Sequence, residues 1–256
     1  MLRNVKVLLA FFALSVLGLA SCDKGSNPPA SQPPSGGSSS ASNSASKNKR
    51  IVFIFKSAGQ YSEACKKGQE QANEELKPQG VSVEYRAPDK ADVGKQIAMV
   101  EQLIAEKADA VVISPNDAKA IEPIVNKAMD AGVKVFTWDS DAPTSKRIFY
   151  VAAADDVQIG VDIAEALAKD LGGKGKVQIM SGGRAADNLN LHVDGMRKGF
   201  AKFPGIKVIE PAIYNEEDTA KANSLAKQAF QRDPDLAGFA CANSQSPPAE
   251  IGRAHV

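Results

Sequence analysis

From residue 51 onward the sequence alternates short runs of apolar β-formers with longer amphipathic stretches, and that alternation confines the chain to an α/β architecture. Ile51-Val52-Phe53-Ile54-Phe55 is apolar at every position, the pattern of a strand covered on both faces in a parallel sheet. A helix follows, then a strand at Val81–Tyr85, a helix with Val93, Ile97, Val100 and Ile104 on one face, and a strand at Ala110–Ile113. The pattern predicts a third helix from about Ala118 to Asp130, closed by Gly132, and a strand at Val133–Trp138. It resumes with a strand at Ile148–Val151 and a helix that lines up Ile159, Ile163, Ala166 and Leu167. Strands at Lys176–Met180, Ile206–Ile213 and Leu236–Cys241 then alternate with helices over Leu189–Lys202 and Thr219–Gln231. Such alternation needs right-handed crossovers, so the expected fold is doubly wound. Four strand-helix units before about residue 153 and at least three after it predict two parallel-sheet lobes, residues 51–153 and 154–250, the second incomplete. In these sheets ligands bind beyond the carboxyl ends of the strands, so function is sought in the residues that follow each strand.

The segment before residue 51 has a different character. Residues 1–21 place Arg3 and Lys6 ahead of an apolar run, Val7–Ala20, that is shorter than the roughly 20 residues a membrane span needs. This is the layout of an export signal, and Leu19-Ala20-Ser21-Cys22 resembles the lipobox of bacterial lipoproteins. That resemblance implies cleavage before Cys22, a diacylglycerol on its thiol and a lipid-anchored protein facing the periplasm or the extracellular side; Asp23 is the residue that retains some such proteins at the inner membrane. Residues 22–50 hold nine Ser, four Pro and three Gly with no large apolar side chain, and read as a flexible tether. At the other end, residues 251–256 begin neither a helix nor a strand where another helix is due, so the chain is expected to be a fragment and His255 is no candidate. Loss of Arg3 and Lys6 turns a formal net charge of +1 into −1, which leaves no basic field for nucleic acid. Three cysteines and two histidines are too few and too scattered for a disulfide framework or a zinc cluster.

Polar residues gather at the predicted strand ends. Lys56, Ser57, Gln60 and Tyr61 follow the first strand and offer hydrogen bonds and a ring that can stack on a sugar face; a helix cap and an edge tyrosine would use the same residues. After the third strand, Ser114-Pro115-Asn116-Asp117 turns the chain, with Asp117 placed to cap the next helix. The fourth strand ends Thr137-Trp138-Asp139-Ser140-Asp141, and a carboxylate there can accept paired hydroxyls from a polyhydroxy ligand. Asp139 is the ligand candidate, Asp141 reads better as a solvated turn residue, and Trp138 suits cleft wall and core equally. In the second lobe the turn Ser181–Arg184 and the helix-opening Asp187, Asn188 and Asn190 are polar; the turn matches no nucleotide motif but fits a neutral sugar. Asn243, Ser244 and Gln245 follow the last strand. Cys65 and Cys241 fall in different lobes and are expected to be unbridged. No catalytic pattern stands in the folded body, His192 reads as a surface helix residue, and neither an enzyme activity nor a cofactor or metal is expected.

Together these residues resemble a bacterial solute-binding protein of the ribose-binding type, a periplasmic relative of the lactose repressor's ligand domain. The resemblance covers about residues 50–250 and rests most on the Ile51–Phe55 strand with its polar turn, the Val111–Asp117 segment and Thr137–Asp141. It implies the type I periplasmic binding fold, with Lys56, Ser57, Gln60, Asp139, Asp187, Asn188 and Asn190 as ligand contacts. The chain departs from ribose binders in having one ring, Tyr61, where they carry two, and in lacking their arginine near Asn190. A pentose, a deoxyhexose or a similar sugar is the implied ligand, with an ABC permease as partner, a monomeric state, and closure about a hinge near Ala153–Asp156. Two other readings share the fold: a lipoprotein that senses a sugar or autoinducer-2 for a receptor, and a glycan-acting enzyme. The leader generates a direct test. The protein expressed from its whole leader is expected to enter the detergent phase on Triton X-114 partition, and Cys22→Ala to move it to the aqueous phase; a wild-type protein wholly in the aqueous phase would contradict the lipid anchor.

Overall fold

The computed structural model describes residues 48–152 and 154–247; the leader, Cys22, nearly all of the tether, Ala153 of the expected hinge and the tail from 248 lie outside the described residues. The first half of the fold contains β1 (Lys49–Ile54), α1 (Gln60–Leu76), β2 (Val81–Arg86), α2 (Val93–Ala105), β3 (Ala110–Ile113), α3 (Glu122–Asp130), β4 (Lys134–Trp138) and β5 (Tyr150–Val151). Its five strands pair in parallel in the order β2-β1-β3-β4-β5. The second half runs α4 (Asp156–Asp170), β6 (Lys174–Ser181), α5 (Asp187–Phe200), β7 (Gly205–Tyr214), α6 (Thr219–Arg232) and β8 (Leu236–Cys241), with a parallel three-stranded sheet in the order β7-β6-β8. Winding reverses beside β1 in one sheet and beside β6 in the other. Crevices therefore open at the carboxyl ends of β1 with β3, and of β6 with β8.

Several boundaries move for physical reasons. β1 begins at Lys49, inside the expected tether, because its charges are neutralised by neighbours: Lys49 Nζ lies 2.7 Å from Asp109, and Arg50 binds Glu84 of β2 and Glu106 at the end of α2. α3 starts at Glu122, four residues later than its apolar pattern suggests. Asp117 does not cap α3, whose N-cap is Ile121; it accepts from the amides of Lys119 and Ala120 (both 2.9 Å) and so closes a separate turn ahead of the helix. Gly132 adopts φ +87° behind α3, a position open to glycine without strain.

No helix joins β4 to β5, so the fourth expected strand-helix unit lacks its helix. The loop between them is held instead by Asp141, which corrects its reading as a solvated turn residue. Buried at 7 % exposure, Asp141 accepts from Thr137 Oγ1 (2.6 Å), the Ala142 amide (2.7 Å) and Arg147 Nη2 (2.6 Å). Burial alone would raise its pKa, but these donors outweigh it and hold the carboxyl below the ordinary carboxylate range.

The core of the first half packs Val52 and Ile54 of β1, Val111 and Ile113 of β3 and Val135 of β4 against Val100, Leu103, Ile124, Val125 and Ala128 of the helices. Each of the Val, Ile and Leu side chains contributes about 1.5–3 kcal/mol by burial. The second core sets Val177 and Ile179 of β6 beside Ala164, Ala168, Val193, Met196 and Phe200. There α4 and α5 touch backbone to backbone. A Cβ on Gly160 would collide with the His192 carbonyl oxygen, and one on Gly195 with that of Val157.

Two expectations follow from this packing. Gly160→Ala has to push the two helices apart and should lower unfolding stability by about 1–3 kcal/mol in urea titration; an unchanged midpoint and slope would contradict the contact. Because Asp141 has a depressed folded pKa, its contribution is present above the unfolded pKa, about 4, and is lost as pH falls through the lower folded value. Asp141→Asn should therefore cost about 1–3 kcal/mol at pH 7 and progressively less below pH ~4. A stability gap that stays constant from neutral to acid pH would refute the ion pair's role.

Candidate functional site

The site is built where the winding reverses. At the end of β1 the chain continues Phe55-Lys56-Ser57, and at the end of β3 it continues Ser114-Pro115-Asn116. Gln96 of α2, fully buried, fastens these two ends together. Its Nε2 donates to the carbonyls of Phe55 (3.1 Å) and Ser114 (2.8 Å), while its Oε1 accepts the amide of Asn116 (2.9 Å). Asn116 Nδ2 adds a bond to the Lys56 carbonyl (2.9 Å). An apolar residue at 96 would leave these buried main-chain groups unpaired, so the amide sets the loop geometry as well as filling space.

Asp139 stands next to that pinned pair. Its φ of +58° is left-handed, a region that costs a non-glycine residue energy and gathers at functional sites. Its Oδ2 accepts from Ser114 Oγ at 2.6 Å and lies 3.2 Å from Lys56 Nζ, and its Oδ1 accepts from Tyr61 Oη at 3.0 Å and from Asn188 Nδ2 at 3.4 Å. Burial, and then the Asp139 charge, push the Tyr61 phenol far above its ordinary pKa, so it acts here as a donor. Trp138, undecided between wall and core, serves as both. Its ring packs edge-on against Phe55 with centroids 4.7 Å apart and lies nearly parallel to Tyr61, at 6.4 Å and 11°.

The second sheet supplies the facing wall. Asn188, in the first turn of α5, is buried and accepts from Lys56 Nζ at 2.7 Å, so the strand ends of the two sheets touch across the cleft. His192 lies one turn further on and corrects its reading as a surface residue: its side chain is 12 % exposed, with Nδ1 3.2 Å from the Ala242 carbonyl and Nε2 3.0 Å from Asp156. Asn243 donates to Asn215 (3.0 Å) and to Glu217 (3.1 Å), and the Glu217 carboxylate reaches the cleft from the loop after β7. The partly open space between these walls is about 140 Å³. That is close to the roughly 150 Å³ of a cavity known to take up benzene.

The structure brings Lys56, Ser57, Tyr61, Trp138, Asp139, Asn188 and Asn243 to this cavity. Three expected contacts stand outside its wall. Gln60 is exposed at the start of α1. Asn190 lies about 200° around α5 from Asn188 and donates instead to the Arg184 carbonyl (3.0 Å). Asp187 opens α5 half-buried, its carboxyl pushed up by burial and then by Asp141 and Asp156. The turn at Ser181–Arg184 also lies outside the wall; Gly182 leaves room for the Glu217 carboxylate, which a Cβ there would meet, and Arg184 stacks on Tyr214 at 4.0 Å. Cys65 is a free thiol whose ionisation burial pushes up.

The residues missed in the sequence had readable signals. Helical spacing from Asn188 selects His192, not Asn190. The strand-end rule, applied to β7 as it was to β1, β3, β4, β6 and β8, reaches Glu217. Among the described residues no group of three His, Cys, Asp or Glu is placed to hold a metal, and no helix is long and apolar enough to cross a membrane.

Comparison with known proteins bears on the family and the fold. The D-ribose/D-allose-binding protein of Pseudomonas aeruginosa is 31% identical over 160 residues, 60% of this chain and 50% of the relative. The xylitol-binding protein of Mycolicibacterium smegmatis is 26% identical over 152 residues, 59% of this chain and 43% of the relative, so the chain spans about half the length of these curated relatives. Among solved structures, an ABC transporter solute-binding protein of Burkholderia graminis in complex with D-arabinose superposes with a TM-score of 0.76 at 32% identity, covering 82% of this chain and 71% of the other. The homologues are sugar-binding periplasmic proteins, which implies export, and the fold is that of the type I periplasmic binding proteins. A family model described as the periplasmic binding protein domain matches residues 51–254, well over half of the sequence, and the chain belongs to that family of substrate-binding proteins.

Proposed function

We propose that this chain is the sugar-binding component of an ABC importer, that it captures a monosaccharide between its two lobes and presents it to a membrane permease, and that a lipid on Cys22 and the 22–50 tether keep it near that permease. The observation that carries the reading is a ring-sized cavity between the strand ends of both sheets, with the Trp138 and Tyr61 rings on one side and the Asp139 carboxylate at its edge. Aromatic faces suit the apolar face of a sugar ring, and a carboxylate suits its hydroxyls.

On this reading the donors on Asp139 are what a ligand has to replace. Lys56, Tyr61, Ser114 and Asn188 satisfy the carboxylate, and a sugar hydroxyl that enters can take one of those places while releasing a donor to its own oxygens. Because Asn188 and His192 come from the second lobe, a ligand that contacts both walls favours the closed arrangement through its differential contacts. The sugars named for the relatives, D-ribose, D-allose and D-arabinose, are the first candidates.

Asp139→Asn preserves shape and removes the charge. In the complete protein it should weaken binding of whichever of those three sugars binds best by about 1–3 kcal/mol. Titration calorimetry on the folded variant decides this. Unchanged affinity would mean that Asp139 is a turn residue and that the ligand contacts lie elsewhere.

A further inference from the structure

The conformation of Asp139 is tied to the second lobe by a hydrogen-bonded path that starts at Tyr150. This tyrosine opens β5, and its hydroxyl lies 2.9 Å from the main-chain oxygen of Asp139 and 3.3 Å from Oδ2 of Asp156. Both neighbours are acceptors, and a phenol has one proton, so Tyr150 donates to one of them at a time. The shorter distance assigns the proton to Asp139. Burial, followed by the charges of Asp156 and Asp139, pushes the ionisation of this phenol far above the ordinary range, so the proton stays on the ring oxygen.

The second acceptor belongs to the other half of the fold. Asp156 is the first residue of α4, and its Oδ1 meets His192 Nε2 of α5 at 3.0 Å, while His192 Nδ1 faces the carbonyl of Ala242 behind β8. The path from Asp139 through Tyr150, Asp156 and His192 to Ala242 therefore runs from the strand ends of one sheet to those of the other, alongside the connection from β5 to α4. Any change in the seating of α4 moves Asp156 relative to the Tyr150 hydroxyl and alters how strongly that hydroxyl holds the Asp139 carbonyl. The held group is a residue in the left-handed region at φ +58°, where an extra main-chain bond offsets part of the conformational cost.

We propose that Tyr150 is a positioning residue whose hydroxyl holds the left-handed main chain of Asp139, and so the direction of its carboxylate, in proportion to how the second lobe is seated. Its affinity consequence rests on the sugar-binding reading; its conformational consequence does not.

Tyr150→Phe removes the hydroxyl and keeps the ring, and aspartate-selective 13C labelling reads the Asp139 main chain through its Cα and Cβ shifts without any ligand. In the complete protein, Tyr150→Phe is expected to shift or broaden the Asp139 resonances, and Asp156→Asn, which replaces the charged acceptor at the same shape, to move them less. Tyr214→Phe, whose ring lies under Arg184 away from this path, is the control and should leave them in place. Affinity for the tightest-binding of D-ribose, D-allose and D-arabinose should fall about three- to tenfold in Tyr150→Phe, the worth of one neutral hydrogen bond. Unmoved Asp139 resonances in Tyr150→Phe overturn the proposal, and unmoved resonances in Asp156→Asn overturn the coupling to the second lobe. If none of the three sugars binds the wild-type protein, the sugar reading fails while the Asp139 shifts still decide the role of Tyr150.

Discussion

Four donors from four separate stretches of chain converge on the carboxylate of Asp139: Lys56 after β1, Tyr61 on α1, Ser114 after β3 and Asn188 on α5. A half-buried charge without such partners would be expensive to keep. With them it becomes the point at which both sheets, two helices and the aromatic wall are registered against one another. The same crowding explains why this site suits a polyhydroxy ligand. Hydroxyls both donate and accept, so they can enter a network of this kind and leave every member paired, whereas an apolar ligand would strand the Lys56 and Asn188 donors and the carboxylate together.

That convergence depends on groups that never face the cleft. Gln96, fully buried, binds Phe55, Ser114 and Asn116 at once and so fixes the two loops that carry Lys56 and Ser114. On the other side, Gly160 and Gly195 let α4 and α5 touch at the main chain, which brings Asp156 of α4 within 3.0 Å of His192 on α5. Asp141 and Arg147 hold the β4–β5 loop in place of a helix and keep β5 in register beside β4. Each of these is a stability feature with a functional address, and each explains how a residue distant from the cavity sets its shape.

Much of this was readable in the sequence, and the division follows the range of the forces involved. Ala110–Ile113 matches its expected bounds because a run covered on both faces is apolar throughout, a local signal, and Leu236–Cys241 matches as well. Asp139 and Trp138 were legible because the strand-end rule needs only the strand. Less was visible where partners come from far along the chain. Lys49 and Arg50 look like tether until Asp109, Glu84 and Glu106 are placed beside them. Asp141 looks solvated until Arg147 folds over it, and His192 looks exposed until β8 and α4 close on its ring. Asn190 shows the converse: polar and adjacent to the right residue, it falls on the wrong side of the helix.

Hydrogen exchange of the complete protein, read by mass spectrometry with and without saturating D-arabinose, D-ribose or D-allose, tests the central claim that one ligand is held by both walls. The account predicts that the sugar that binds slows exchange together in Phe55–Ser62 on the first lobe and in Asn188–His192 and Ala242–Gln245 on the second. Protection confined to one lobe, or saturable binding with no change in any of these segments, would contradict it.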